Sequence, residues 1–266
     1  MKTVLTIAGF DPSGGAGVLA DIKTISRFGC YGVAAVTSLT LQNTQGVFGA
    51  HHQSADVVRG QLKAIFDDLE VAALKIGMLP TREVVEAVAD SISGNSPSYI
   101  VLDPVVRSTT GFDLVDEDAL KAIIQRLFPL VSVVTPNADE AGRITGMTVR
   151  DQPQMEKAAR EIIALGAPTV LVTGGDLQGH FATDLLVDGG VNSFTAERVQ
   201  SRHTHGTGCT LSSALACLLA QGYTLRQAIP IAKTYLVEAI ETAPGLGGGY
   251  GPLNHFTQGR ILTDPN

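Results

Sequence analysis

The segment VLTIAGFDPSGGAG, residues 4–17, decides the fold of this chain. Residues 4–8 form a short apolar run rich in β-branched side chains, which predicts a buried strand ending at Gly9. A glycine-rich loop follows, and residues 18–28 then place Leu19, Ile22 and Ile25 on one face of a helix. A strand, a glycine loop and a helix in this order open a nucleotide-handling α/β unit. We therefore expect an α/β fold.

The loop does not match either of two familiar nucleotide motifs. A phosphate-binding P-loop has the pattern Gly-x-x-x-x-Gly-Lys-Ser/Thr. Gly9 and Gly14 have the required spacing, but Gly14 is followed by Gly15 instead of a lysine. The spacing of Gly15, Gly17 and Ala20 fits a dinucleotide fingerprint, yet residues 22–55 contain no acidic side chain for the ribose. The loop is therefore predicted to cover a different small molecule.

Composition excludes several classes of protein. The net charge of −7 and the lack of a Lys/Arg cluster argue against a nucleic-acid partner. The 3 cysteines are scattered, so they predict neither a disulfide framework nor a zinc site. The apolar run at the start is too short for a signal peptide, and no run is long enough to span a membrane. We expect a cytoplasmic protein with no membrane partner.

Periodicity predicts about eight strands, with helices on both faces of the sheet. After the first strand, further strands are expected at residues 33–41, 47–52, 72–76, 99–102, 131–135 and 169–172, and a hairpin at 181–187 and 193–199. Helices are expected after caps at Ser54 and Thr81, and at residues 117–127, 141–146, 154–165, 211–220 and 225–243. No linker or repeat interrupts this pattern, which predicts a single domain over residues 1–266.

The segment HTHGTGCT, residues 203–210, predicts an anion site. Gly206 and Gly208 allow a tight turn directly before an apolar helix, whose free N–H groups and dipole attract an anion, usually phosphate. Cys209 lies in the first turn, where the pKa of a thiol tends to be lowered. The alternative is a glycine entry into a core helix with a buried cysteine, and spacing alone does not decide between the two.

Polar side chains follow three predicted strands. Asp103 could hold Mg²⁺ or cap a turn. Glu140 could complete a capping box with Asn137 or direct its carboxylate at a metal and phosphates. Thr173 begins a Thr-Gly-Gly segment after the sixth strand. Acidic residues facing an anion hole are what phosphoryl transfer requires, and Cys209 would deprotonate the attacking hydroxyl or lie beside it.

These motifs also resemble a known family. Gly-Thr-Gly-Cys at 206–209, Asn-x-x-Glu at 137–140 and Gly-Gly at 14–15 resemble the ribokinase-like superfamily, in its vitamin-kinase branch. The longer segments 6–17, 42–44, 75–79 and 204–210 are similar to the hydroxymethylpyrimidine/phosphomethylpyrimidine kinases of thiamine biosynthesis. The resemblance implies a three-layer α/β/α sandwich with a mostly parallel sheet, Mg·ATP as phosphoryl donor, a pyrimidine that is phosphorylated twice, and a homodimer.

The resemblance also implies roles for individual residues. The pyrimidine would be bound by Gly9, Asp21, Gln42 and Met78. Asn137, Thr173 and Lys233 would bind the nucleotide and its phosphates, with Asp103 and Glu140 holding Mg²⁺. The anion hole would be formed by Gly206, Thr207 and Gly208, and Cys209 would be the base. Many bacterial relatives have lysine in place of Thr109 and Thr173, so Arg107 or Lys233 would supply the positive charge here.

Two other functions compete with this interpretation. A pyridoxal kinase of the same branch shares the cysteine-containing anion loop. Gln42 favours the pyrimidine, because an amide that both donates and accepts can pair with the edge of an aminopyrimidine. The second alternative is a sensor that binds the pyrimidine without catalysis. The presence of Asn137, Glu140 and Cys209 argues against it, because a sensor does not need that set.

Overall fold

A computed structural model describes residues 1–95, 97–106, 111 and 114–257. Within these residues the strands are β1 Thr3–Phe10, β2 Tyr31–Asn43, β3 Gly46–His52, β4 Val71–Ile76, β5 Tyr99–Leu102, β6 Val133–Val134, β7 Val170–Val172, β8 Phe181–Val187 and β9 Val191–Glu197. The helices of the described chain are α1 Gly17–Arg27, α2 Ala55–Phe66, α3 Arg82–Asn95, α4 Glu117–Ala122, α5 Ala138–Thr145, α6 Gln152–Ala164, α7 Thr207–Ala220 and α8 Leu225–Glu241.

In this part of the chain the strands form one 9-stranded sheet in the order β3-β2-β1-β4-β5-β6-β7-β8-β9. The six strands from β2 to β7 in this order run parallel, whereas β3, β8 and β9 pair antiparallel to their neighbours. The sheet is therefore mostly parallel, as expected, and each of its 9 strands overlaps a segment predicted to be a strand.

The three layers follow from the alternation of side chains along each strand. Leu5 and Ile7 of β1 pack into the core beneath α2–α6, whereas Val4 packs into the core on the other side, beneath α1, α7 and α8. The same alternation separates Leu74 from Ala73 in β4. Because both faces of the sheet are covered, the predicted α/β/α sandwich is confirmed.

Several predicted boundaries are wrong. Helix α5 begins at Ala138, because the Asn137 cap starts it three residues before the predicted 141. Strand β9 is Val191–Glu197 instead of 193–199, because pairing with β8 resumes directly after a tight turn, where Val187 faces Val191. The predicted helix 117–127 is α4 followed by the π-helical turn Ile123–Leu127, and a 3₁₀ turn that contains Pro129 ends it.

Candidate active site

The parallel strands bring the predicted site residues to one edge of the sheet. Gly9 lies at the end of β1 and Gln42 at the end of β2, and Met78 follows β4. Asp103 directly follows β5, and Thr173 directly follows β7. Parallel strands place their carboxyl ends side by side, and this is where open α/β sheets bind ligands. These five residues therefore share one edge, whereas Asp21 and Lys233 lie on helices α1 and α8.

The predicted anion loop begins α7. Gly206 is the N-cap, with a left-handed φ of 87°, and the first helical residues are Thr207, Gly208 and Cys209. The loop contacts the first glycine loop so closely that a Cβ placed on Gly206 would lie 1.9 Å from the carbonyl oxygen of Gly15. The two glycine-rich segments thus form one packed unit, and a glycine is required at 206 for two separate reasons.

Replacing Gly206 by alanine should therefore destabilise the protein more than the same replacement at a glycine that has a positive φ but open space around it. Gly222 is the matched control, because its φ is 96° and a Cβ there would meet nothing within 4 Å. We expect Gly222→Ala to cost about 1 kcal/mol in the free energy of unfolding, and Gly206→Ala about 2–4 kcal/mol, since it also displaces main chain. Urea unfolding measures both values. Equal losses in the two variants would show that the loops do not need this close contact.

Asp103 lies against the first turn of α7. A Cβ placed on Gly208 would be 3.5 Å from Asp103 Oδ2, and the Ser212 hydroxyl, one turn further along, donates to the same oxygen at 3.3 Å. Asp103 is 3% exposed. A buried carboxylate beside a helix end that attracts anions is arranged to hold a cation between itself and a bound phosphate.

Glu140 forms the capping box that the sequence predicted. Its main-chain N–H donates to Asn137 Oδ1 and its Oε2 accepts from the Asn137 N–H, each at 2.9 Å, so the capping box is present. Burial raises the pKa of Glu140 well above its usual range, and the charge of Asp103 raises it further. Burial also raises the pKa of Asp103 to about 6. The capping box therefore does not exclude a metal role.

Two buried carboxylates that repel each other fit Mg²⁺. This ion takes oxygen ligands, and proteins usually hold it through one or two carboxylates while phosphates and water complete its shell. Asp103 and Glu140 match that donor set. Within the described residues no group of three or more His, Cys, Asp or Glu side chains could hold a metal. A site made by protein ligands alone is thus not found there, and a bound phosphate would have to contribute.

The expectation of a lowered thiol pKa at Cys209 is wrong. Burial raises the pKa of Cys209 to about 12. The charge of Lys75 and a hydrogen bond from the Gly17 N–H lower it, while Asp21 and Asp103 raise it further. The helix end alone does not outweigh removal of the thiolate from water.

A buried ion pair lies beneath the site. Lys75 Nζ is 2.9 Å from both carboxylate oxygens of Asp21, and both side chains are 0% exposed. The Thr6 and Ser213 hydroxyls also donate to Asp21, at 2.6 and 2.8 Å. Asp21, predicted to bind the pyrimidine, is therefore occupied by protein donors that join β1, β4 and α7. Sequence reasoning assigned no role to Lys75, although a lysine within an apolar strand was a usable signal.

Asp11 and His205 are a second pair that sequence reasoning missed, although both lie in the motifs quoted above. His205 Nε2 is 2.8 Å from Asp11 Oδ2 and 3.2 Å from Gln42 Nε2. Burial raises the pKa of Asp11, but hydrogen bonds from His205 and Ser13 outweigh it, so this pKa lies below its usual value. The pair joins the two glycine loops and places an imidazole beside Gln42, the residue predicted to select the pyrimidine.

The predicted nucleotide residues lie close to one another. Asn137 and Thr173 form a parallel bridge, and the Thr173 N–H donates to the Pro136 carbonyl at 2.9 Å. Lys233 is buried, and its Nζ lies 2.7 Å from Asp184 Oδ2. Arg107 and Thr109, which the sequence offered as further phosphate contacts, lie outside the described residues.

In the part of the chain that is described, no helix combines the length and apolar character needed to cross a membrane.

Known proteins similar to this chain identify its family. The family model for phosphomethylpyrimidine kinase matches residues 11–254. Hydroxymethylpyrimidine/phosphomethylpyrimidine kinase of Rhizobium meliloti is 46% identical over 256 residues, which are 95% of this chain and 96% of the relative. The thiamine biosynthesis bifunctional protein ThiED of Geobacter sulfurreducens is 44% identical over 98% of this chain, which spans only 54% of that protein.

A solved structure agrees with the sequence relatives in fold. The pyridoxal kinase of Bacillus subtilis, solved as an ADP complex, matches with a TM-score of 0.90 and 36% identity, covering 97% of this chain and 98% of that chain. The family model and the sequence relatives confirm the resemblance stated from the sequence. The chain belongs to the phosphomethylpyrimidine kinase family.

Proposed function

We propose that this chain uses ATP to phosphorylate 4-amino-5-hydroxymethyl-2-methylpyrimidine on its hydroxymethyl oxygen, and then phosphorylates the resulting monophosphate to the diphosphate. One observation carries the proposal: Asp103, a carboxylate suited to Mg²⁺, lies against the first turn of α7, which attracts anions. Phosphoryl transfer requires this combination, because its catalysis consists mainly of positioning and charge stabilisation.

The nucleotide side of the proposed site consists of Asp103, Glu140, Asn137, Thr173 and Lys233. Asp103 and Glu140 would hold Mg²⁺, which when bound neutralises charge on the phosphate oxygens. Asn137 and Thr173, joined by their bridge, would bind the nucleotide and its phosphates. Lys233 would support the nucleotide side indirectly, because it pairs with Asp184, whose other oxygen accepts from the Gly174 N–H beside Thr173. The N–H groups of residues 206–208 would stabilise the phosphoryl group during transfer.

The acceptor side consists of Gly9, Gln42 and Met78, supported from below by Asp21. Gly9 and Met78 are in contact, since a Cβ placed on Gly9 would lie 2.9 Å from Met78 Sδ. They would hold the ring while the Gln42 amide pairs with its edge. Cys209 would take the hydroxyl proton. Because burial raises the pKa of that thiol, its thiolate would depend on Lys75 and the Gly17 N–H, the two influences that lower the pKa.

The test is a coupled assay of ADP release with purified protein and Mg·ATP. We expect kcat/KM for the hydroxymethylpyrimidine to exceed kcat/KM for pyridoxal. The fold match to a pyridoxal kinase makes pyridoxal the necessary comparison substrate. A higher kcat/KM for pyridoxal would replace the proposed substrate, and tight pyrimidine binding without ADP release would indicate a sensor instead of a kinase.

A homodimer is part of the same proposal. The two outer strands at this end of the sheet support it, because Leu41 of β2 and Phe48 of β3 are 52% and 68% exposed and would be buried against a second copy that docked there. Sedimentation equilibrium should give a mass of twice 27.8 kDa. A monomer mass at micromolar protein concentration would contradict it. The cytoplasmic location stays a prediction from the sequence.

A further inference from the structure

The segment between β7 and β8, residues 173–180, starts at the proposed nucleotide site. Its first residue, Thr173, bridges Asn137. The segment, here called the 173–180 loop, contains three glycines and is mostly exposed from Gly175 onward. Within the loop the Leu177 N–H donates to the Gly174 carbonyl at 3.2 Å, and groups outside the loop add further bonds.

Arg198, directly after β9, fixes this loop from one side. Among the described residues its guanidinium donates to five main-chain carbonyl oxygens, those of Gly174, Gly175, Leu177, Gly179 and Phe181. The Nε donor lies 2.8 Å from Gly179 O. A guanidinium carries five N–H donors in a rigid plane, so one side chain can hold the whole turn. The Arg198 main-chain N–H adds a bond to His180 O at 2.9 Å.

Asp184 of β8 fixes the start of the loop. Its Oδ1 accepts from the Gly174 N–H at 3.1 Å, while its Oδ2 pairs with Lys233. Asp184 is 4% exposed. Gly174 is also packed so closely on β8 that a Cβ there would lie 2.1 Å from Thr183 O. Gly174 is thus held by its N–H, its carbonyl oxygen and its packing, directly beside Thr173.

We propose that Arg198 is a positioning residue for the nucleotide: by holding the 173–180 loop it sets the geometry with which Thr173 and the adjacent main chain bind the phosphates of ATP or ADP. This inference rests on the proposed function, which makes ATP the phosphoryl donor. Arg198 acts through the loop and the acceptor site lies on other strands, so its effect is on the nucleotide and not on the pyrimidine.

The test compares Arg198→Lys, Arg198→Gln and a control, Arg226→Ala. Arg226 also uses a guanidinium, but it binds Asp188 at the exposed turn between β8 and β9, through bonds of 3.0 and 2.9 Å. We expect the KM for ATP to rise about 10-fold in Arg198→Lys, which keeps the charge but loses the planar fork. It should rise up to about 100-fold in Arg198→Gln, because small misplacements of binding groups cost up to about 10²-fold. Arg226→Ala should stay close to wild type.

The KM for the pyrimidine should not change in any of these variants. An unchanged KM for ATP in Arg198→Gln, or equal increases in both KM values, would overturn the inference. If Arg198→Gln does not fold, Arg198→Lys decides by the same criterion. Calorimetric titration with ADP separates this inference from the proposed function, because it needs no turnover. Weaker ADP binding in the Arg198 variants than in Arg226→Ala supports the inference even if the pyrimidine is not phosphorylated, and equal ADP binding overturns it.

Discussion

Cys209→Ala should lower kcat by about 10²- to 10⁴-fold, the usual contribution of a general base. The substitution removes the thiol but keeps Gly206, Gly208 and the first turn of α7. The N–H groups that we propose to stabilise the transferring phosphoryl group therefore remain. The Kd for the pyrimidine should change little, because a thiol makes few contacts with a ligand. Steady-state kinetics and calorimetric binding measure the two quantities separately.

Cys217→Ala is the matched control, because Cys217 lies fully buried in the same helix, two turns beyond the loop. It makes the same chemical change away from the site, so kcat should remain near that of wild type although stability falls. Cys209→Asp supplies a carboxylate base and should recover part of the rate if the site accepts the charge. A near-normal kcat for Cys209→Ala would show that the thiol only packs and that the anion hole carries the chemistry.

Glu140→Gln should lower kcat about 100-fold or more, because it removes a charged oxygen ligand from the proposed Mg²⁺ site. A glutamine oxygen can still accept from the Asn137 N–H, so the capping box is kept. Glu117→Gln is the control, because it makes the same chemical change at an exposed glutamate that pairs with Arg143. A loss of folding with normal specific activity in the folded fraction would reduce Glu140 to a capping residue.

The same substitution should raise stability when Mg²⁺ is absent. The pKa of Glu140 is raised in the folded chain, so folding favours its protonated form. The wild type therefore loses stability as the pH rises from the ordinary value of about 4.5 towards the raised pKa. Glutamine carries no charge at any pH. The Tm of Glu140→Gln should exceed that of wild type at neutral pH in chelator, and the difference should shrink as the pH falls below that ordinary value.

The site edge could be predicted from the sequence because it depends on strand ends. Asp103 and Thr173 were placed correctly because each follows a short β-branched run, and parallel strands end side by side. The capping box at Asn137 was also predictable, since it depends only on the spacing of two residues. Predicting these features requires only the local sequence pattern and one rule of topology. It requires no knowledge of contacts between distant segments.

The features that the sequence did not predict all depend on such distant contacts. The ion pair of Asp21 with Lys75 joins residues that are 54 positions apart in the sequence. His205 and Asp11, which also contact each other, are 194 positions apart. The pKa of Cys209 was predicted in the wrong direction, because its local position at a helix start was visible but its burial was not. No role could be predicted for Arg198, because its partners are main-chain carbonyls, which have no sequence signature.

The ion pair of Asp21 and Lys75 also limits how this site can change over generations. Removing one partner of a buried pair strands the other without a counter-charge, at a cost of about 3–5 kcal/mol, whereas replacing both with apolar groups of similar volume is often neutral. Here Asp21 also accepts hydrogen bonds from the Thr6 and Ser213 hydroxyls, so an apolar replacement of the pair would leave these two buried hydroxyls without an acceptor as well. Among homologous sequences, positions 6, 21, 75 and 213 should therefore change together. A substitution at only one of them should be rare, even where other positions of the same helices and strands vary.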